Sequence, residues 1–410
     1  MKKGGFFKRT VRDVPLTGRI VLVRADYNVP LTNSGDIDDD FRIQTSLPTL
    51  RYLIDQGCKV IVCAHLGRPD GLVDERYTLE PVAERLSKLL RVRVQFVPEC
   101  IGDAVRQTTK RLQPGQVVLL ENLRFHAGEE ANDREFAKTL AEDSGADYFV
   151  QDGFGVVHRA HASTSAITQY LPSVAGLLLE KEWTNIRSAM DTPKSPFVAV
   201  LGGAKISDKI GVIEKFIALA DTIIIGGAMA NTFLKYRGFS IGKSIHEDGL
   251  DSIVKKIYQT AEKKVGADAV DDFIILPSDV AVAKKIDENE RRIVVAVGDV
   301  AADELILDIG PDSIATATSI VSNARTVIWN GTLGYSELLH FSHGSARLAL
   351  TLASHPDITS VIGGGDTADF ILGWDAAHGG SFTHVSTGGG ASLDLMAGAA
   401  MPGVESLLDA

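Results

Sequence analysis

Short, unbroken runs of valine, isoleucine and leucine recur along the chain, separated by longer stretches in which apolar positions return every three or four residues. The first kind of pattern predicts strands at 20–23, 60–64, 92–97, 117–120 and 148–150, then at 197–201, 222–225, 273–276, 293–297, 327–329 and 360–362. The second predicts helices over 42–56, 79–90, 134–144, 205–220 and 246–265. Runs without polar alternation are what a parallel sheet needs when helices cover both its faces. Repeated strand–helix alternation therefore predicts an α/β fold of doubly wound, Rossmann-like parallel sheets.

The pattern restarts part-way. After Pro172 comes the helical stretch Leu177 to Trp183, followed by Pro193 and Pro196. With 410 residues the chain is too long for one ordinary core. Two domains are expected, at 1–172 and 191–395, joined by an interdomain helix and hinge at 173–190.

Charge and cysteine usage narrow the classes. A net charge of −11 argues against a general nucleic-acid or membrane-surface binder, though a local arginine cluster can still hold an anion. Cys58, Cys63 and Cys100 lack metal-site spacing and fit core thiols in a reducing compartment. The opening segment MKKGGFFKRT lacks a following apolar run, and no stretch approaches the ~20 apolar residues of a membrane helix. A cytoplasmic protein is expected.

In parallel α/β sheets ligands bind just past the carboxyl ends of strands. In the first half those positions carry Arg24, Asp26 and Asn28, then His65 and Arg68, then Arg124, then Asp152, His158, Arg159 and His161, with Arg42 opening a helix. Five arginines and three histidines on one edge call for a small polyanion, because guanidinium forks match carboxylate and phosphate. Asn28 suits a substrate hydroxyl. Asp26 could do the same, orient Arg42, or partner Arg24.

The second half has glycines instead. Gly202 and Gly203 precede Lys205 and Lys209, which stand four apart and would share a helix face. Further glycine turns occur at Gly226-Gly227, Gly310, Gly331 to Gly334, Gly363 to Gly365 and Gly388 to Gly390. Glycine lets a phosphate approach backbone amides, so this edge reads as a nucleotide phosphate platform. Asp366 is the candidate Mg²⁺ ligand, since magnesium takes one or two carboxylates plus phosphate oxygens. Gly238 to Ser244 imitates a phosphate-binding loop, but Arg237 stands where its first glycine belongs and a helix precedes it. No strand is followed by the G-x-G-x-x-G of a nicotinamide dehydrogenase.

Taken together, the motifs resemble phosphoglycerate kinase. On the first half the resemblance is carried by Arg24-Ala25-Asp26-Tyr27-Asn28-Val29-Pro30, Asp40 to Ile43, His65-Leu66-Gly67-Arg68-Pro69, Glu121 to Phe125 and His158 to Thr164. On the second it is carried by Gly202 to Lys209, Trp329-Asn330-Gly331, Gly363 to Thr367 and Gly388 to Ala391. The resemblance implies reversible phosphoryl transfer between ATP/ADP and the carboxylate of 3-phosphoglycerate, with Mg²⁺ as cofactor, hinge closure and a monomeric enzyme. It implies that Asp26, Tyr27, Asn28, His65, Leu66, Gly67, Arg68, Arg124, His158 and Arg159 bind the acid and that Arg42 contacts its reacting carboxylate. Lys205 would stabilise the transferring group and Lys209 hold nucleotide phosphate. Gly202, Gly203, Gly364, Gly365 and Thr367 would line the nucleotide site, with Glu337 on the ribose and Asp366 on the metal. It also implies that the tail at 396–410 packs back on the first domain. Thr332-Leu333, Tyr335-Ser336, Gly153 and Val156-Val157 depart from the family's commonest form.

Overall fold

A computed structural model describes residues 5–32 and 34–410; residues 1–4, the start of the segment searched for a leader, lie outside it. The chain divides into two compact units, one formed by Gly5–Thr184 with Ala399–Ala410, the other by Asn185–Gly398.

The first unit is built on a six-stranded parallel sheet. Its strands are β1 (Ile20–Arg24), β2 (Lys59–Cys63), β3 (Val94–Val97), β4 (Val117–Leu120), β5 (Tyr148–Gln151) and β6 (Ser173–Ala175), in the spatial order β3-β4-β2-β1-β5-β6. Alternate residues of the apolar runs feed two separate cores, Val21, Val23, Val60 and Val62 on one face, Leu22, Ile61, Val118 and Leu120 on the other. That two-sided burial is why these strands read as unbroken apolar runs.

The second unit repeats the design with β7 (Phe197–Leu201), β8 (Thr222–Ile225), β9 (Ile274–Ile275), β13 (Thr326–Asn330), β14 (Thr359–Gly363) and β15 (His384–Val385), ordered β15-β14-β13-β7-β8-β9. Inserted between β9 and β13 is an antiparallel sheet of β10 (Asp279–Ala283), β11 (Ile293–Ala296) and β12 (Leu305–Ile309), with β10 central. The apolar run at 293–297, which the pattern places in a buried parallel sheet, is thus an antiparallel edge strand, and Ile293 and Val294 are 49% and 43% exposed. A four-residue run does not by itself distinguish these cases.

The segment beginning at 173 does not start as a hinge, because Ser173–Ala175 is the sixth strand of the first sheet. The helix Leu177–Asp191 follows it and runs from the first unit into the second. The tail lies in the first unit from Ala399, with Leu408 N–H donating to Ser173 O (2.9 Å), Gly403 N–H to Val157 O (2.9 Å) and the buried Lys8 ammonium to Leu407 O (2.9 Å).

Candidate functional site

In a parallel sheet, the loops that leave two adjacent strands in opposite directions open a crevice at their carboxyl ends. In the first unit that point lies between β1 and β5, which are neighbours in the sheet although three strands, β2 to β4, come between them in the chain. The loop after β1 supplies Asp26 and Asn28, and the loop after β5 supplies Gly155, His158 and Arg159. Arg42, from the helix Phe41–Asp55, donates to Asp26 Oδ2 through Nη1. A Cβ on Gly155 would stand 2.2 Å from that carboxylate oxygen and 3.3 Å from Arg42 Nη1, so only glycine lets the pair form here. Of the three roles open to Asp26, orienting Arg42 is the one this geometry displays.

Neighbouring loops lock together through main-chain groups. Asn28 Oδ1 accepts from Gly67 N–H (2.8 Å), and Arg124 Nη1 donates to Gly67 O (2.8 Å) while Nη2 meets Glu130 (3.0 Å). Asn122, unassigned from the sequence, joins the loops by donating to Leu66 O (2.7 Å) and accepting from Arg124 N–H (3.0 Å). Arg68 and Arg159 are exposed, Arg159 donating to His158 Nε2 (3.1 Å).

Three residues of the arginine-rich edge are turned inward. Arg24 is fully buried, its Nε donating to Ser163 Oγ (2.7 Å), its Nη2 3.2 Å from His65 Nδ1 and 3.8 Å from the buried Glu129. Tyr27 has no exposed surface and its hydroxyl meets Ser46 Oγ (3.0 Å). Leu66 is 2% exposed, with its carbonyl held by Asn122. Arg24 is therefore a structural cation, and Tyr27 and Leu66 support the site from beneath rather than lining it. They stand beside the exposed Asn28 and the half-buried Gly67, so a contiguous motif names both sets alike.

Burial, then the charges of Arg24, Arg124 and Arg42, pushes the His65 pKa well below its usual value. Burial, then the charges of Arg24, Arg124 and Arg159, lowers His161 to about 4. Both imidazoles are consequently neutral near pH 7, and the edge's positive charge is carried by arginine.

In the second unit the corresponding crevice falls between β7 and β13. Here the backbones themselves touch. A Cβ on Gly202 would meet Thr332 O at 2.1 Å, and one on Gly331, whose φ is +99°, would meet Gly202 C at 2.2 Å. Lys209 reaches into this junction, its ammonium donating to Gly202 O (2.7 Å) and Asn330 O (3.1 Å). Burial lowers its pKa to about 8, against the opposing charges of Asp366 and Asp208. Thr367 is buried, and its hydroxyl accepts from Gly331 N–H (2.7 Å).

Lys205 and Lys209 do not share a helix face. Lys205 is exposed on an irregular loop, Lys209 ends the 3-10 turn Ser207–Lys209, and the α-helix begins only at Ile210. The helix Gly365–Trp374 offers the other phosphate-seeking feature, first-turn amides that no intrahelical carbonyl satisfies. Asp366 lies in that turn, exposed, and its carboxylate accepts no hydrogen bond from any described residue.

Asp366 and Gly203 also line a cavity of about 180 Å³, together with Leu234, Ile245, Leu305, Leu307 and Glu337. An apolar cavity that Glu337, Gly203 and Asp366 also line suits a heterocycle joined to a polar, phosphorylated group. Asp308, unassigned from the sequence, lines the same cavity and anchors Gly344 N–H (3.1 Å). The Gly238–Ser244 imitation serves elsewhere, Lys243 N–H donating to Glu304 O (2.7 Å) and Ser244 Oγ accepting from Ile306 N–H (2.7 Å).

Among the described residues one His/Cys/carboxylate cluster has metal-like spacing, Glu99, Cys100 and His126, and it contains none of these site residues. All three cysteines are buried and free, with burial raising Cys58 to about 11 and Cys63 to about 12.

Comparison with known proteins decides what this pair of sites belongs to. The family model described as phosphoglycerate kinase matches residues 11–399. The chain belongs to the phosphoglycerate kinase family. Its relatives of that name include one from Pelotomaculum thermopropionicum, 48% identical over 403 residues, 98% of this chain and 99% of the relative. Another, from Microcystis aeruginosa, is 45% identical over 410 residues, 98% of this chain and 100% of the relative. The solved phosphoglycerate kinase structure from Coxiella burnetii aligns with a TM-score of 0.82 at 36% identity, covering 97% of this chain and 98% of that one. Phosphoglycerate kinases transfer a phosphoryl group between ATP or ADP and 3-phosphoglycerate, so membership makes this chain a glycolytic phosphotransferase. No helix among the described residues is long and apolar enough to cross a membrane.

Proposed function

We propose that the first unit is the acid-binding domain and the second the nucleotide-binding domain of a reversible 3-phosphoglycerate kinase. The observation that carries the reading is the contrast between the two crevices, guanidinium side chains at one and a lysine-lined glycine junction beside an apolar slot at the other.

In the first unit Arg124, Arg68, Arg159, His65 and His158 receive the phosphate end of the acid, with Gly67 placing the loop. Asn28 and Asp26 flank its hydroxyl. Asp26 fixes the Arg42 guanidinium, which meets the carboxylate that accepts or gives up the phosphoryl group. In the second unit Glu337 holds the ribose, Gly202, Gly203, Gly364 and Gly365 admit the phosphates, and Lys209 and the Thr367 turn fix them. Lys205 neutralises the migrating group.

An all-oxygen donor set around Asp366, exposed and without a protein hydrogen-bond donor, fits Mg²⁺. The ion supplies charge neutralisation on the nucleotide phosphates. Phosphoryl transfer demands alignment and charge compensation more than covalent catalysis, so these residues act by orientation and electrostatics. Direct transfer needs reacting atoms about 3–3.5 Å apart, which requires ligands held by both units to meet during turnover. A monomeric, cytoplasmic enzyme fits the family. A coupled assay with 3-phosphoglycerate and Mg-ATP should show ADP release that depends on both; release without 3-phosphoglycerate would contradict the reading.

A further inference from the structure

The helix that follows β7 starts five residues later than the sequence pattern places it, and the residues just before it are held from forty residues downstream. Glu247 sits in the loop between the helices Gly227–Tyr236 and Asp251–Val265, fixed to the first of them by its own N–H, which donates to Thr232 Oγ1 (3.1 Å). Its Oε2 accepts from Ile206 N–H and from Ser207 N–H (3.1 Å), and its Oε1 accepts from Ser207 Oγ. One carboxylate thus occupies the amides at the start of the Ser207–Lys209 turn, where the glycine-rich approach suggested that a phosphate would sit. Phosphate is left to the glycine junction, the Lys209 ammonium and the Gly365–Trp374 helix start.

What Glu247 grips is the peptide directly after Lys205. Lys205 itself is exposed, with no hydrogen bond or ion pair to any described residue. Its backbone is held on one side by the Gly202–Thr332 junction, through Gly203 N–H donating to Thr332 O (2.9 Å), and on the other by Glu247. Burial works against charge on Glu247, but hydrogen bonds from Ser207 and Ile206 and the positive charge of Lys205 hold its carboxyl below the usual range.

We propose that Glu247 is a positioning residue for phosphoryl transfer, acting through Lys205 by clamping residues 206–207 so that the Lys205 ammonium is presented at a fixed place. This rests on the role given to Lys205 above. A long, mobile lysine contributes to a transition state only where its backbone is fixed, because misplacement on the ångström scale is costly in rate.

Steady-state kinetics on Glu247→Ala, Glu247→Gln and Glu247→Asp, alone and with Lys205→Ala, test it. Glu247→Ala should lower kcat about thirtyfold while the KM for ATP moves less than about threefold, the pattern of an interaction used in the transition state. Glu247→Gln should recover kcat to within about threefold of the parent, because its carbonyl can accept from both amides while its NH₂ donates to Ser207. In the Lys205→Ala background, Glu247→Ala should cost no more than about twofold, since residues acting as a unit are not additive. Full kcat in Glu247→Ala, a glutamine variant as slow as alanine, or additive losses would each overturn the proposal. If the alanine variant does not fold, Glu247→Asp carries the test, keeping the charge but shortening the clamp, and parental kcat there overturns it equally. If Lys205→Ala alone keeps full kcat, the reading of the reaction fails instead; if it is slow while Glu247→Ala is fast, only the clamp fails.

Discussion

On the proposed reading the two units solve one problem, holding an anion at the carboxyl ends of a parallel sheet, with opposite materials. The first uses side chains. Arg42 is aimed by Asp26 and Arg124 by Glu130 and Gly67 O, while the buried Arg24 meets both His65 and Glu129. The second uses backbone. Its strand-end glycines pack so tightly that a methyl group on Gly202, Gly227 or Gly331 would fall within 2.7 Å of main-chain atoms of the next loop. Truncating a side chain in the first unit should therefore remove function and leave the fold, whereas adding one methyl in the second should damage both.

The largest effect should come from Arg42→Ala. Removing a charge aimed at the migrating group should cut turnover about 10³-fold. Its melting temperature should stay within a few degrees of the parent and ADP affinity should be unchanged by calorimetry, because the Arg42–Asp26 pair is partly exposed. Gly331→Ala is the converse. With φ at +99° and Gly202 in the way, it should lose roughly 3 kcal/mol in urea unfolding and bind ADP at least about tenfold more weakly.

A smaller effect separates the two kinds of cation. Arginine stays charged, but Lys209, lowered to about 8 by burial, loses its proton as pH rises through that value. Asp366 and Asp208 are the charges that oppose this loss. ADP affinity should be full below pH 8 and fall by up to about tenfold per unit above it, with proton uptake visible in buffers of differing ionisation enthalpy. Lys209→Arg should flatten that dependence.

The smallest expected effect concerns the junction helix. Buried Asp152 accepts from Leu178 N–H (3.0 Å) and Leu179 N–H (3.3 Å) at the start of Leu177–Asp191, and burial raises its pKa to about 7. A folded-state value above the unfolded one means that stability is full at low pH and is lost as pH rises from about 4 to about 7. Asp152→Asn should remove one proton's worth of that slope, so that its Tm varies less with pH across the window than the parent's. Asp308, raised to about 7 in the second unit, should leave a matching slope in place.

The same contrast explains what the sequence could reveal. The six strands of the first sheet are legible wherever both faces are buried, as in Val117–Leu120, while Ser173–Ala175 is too short and too close to Pro172 to announce itself. The antiparallel sheet is hidden because Asp308 interrupts the apolar run of β12, while β11 is an apolar run that reads like a buried parallel strand although it is exposed. Side-chain chemistry at strand ends is legible as arginines and glycines. Its support is not, because Glu129, Asn122, Gly155 and Glu247 work through contacts between segments distant in sequence. The turn before the helix at Ile210 is such a case, held by Glu247 from forty residues away.

The central claim, one anion chemistry per unit, is tested most directly by hydrogen exchange with each ligand added alone. Mg-ADP should slow exchange at 202–209, 330–334 and 363–367, and 3-phosphoglycerate at 26–28, 65–68, 122–126 and 155–160. Protection of the same unit by both ligands would contradict the account.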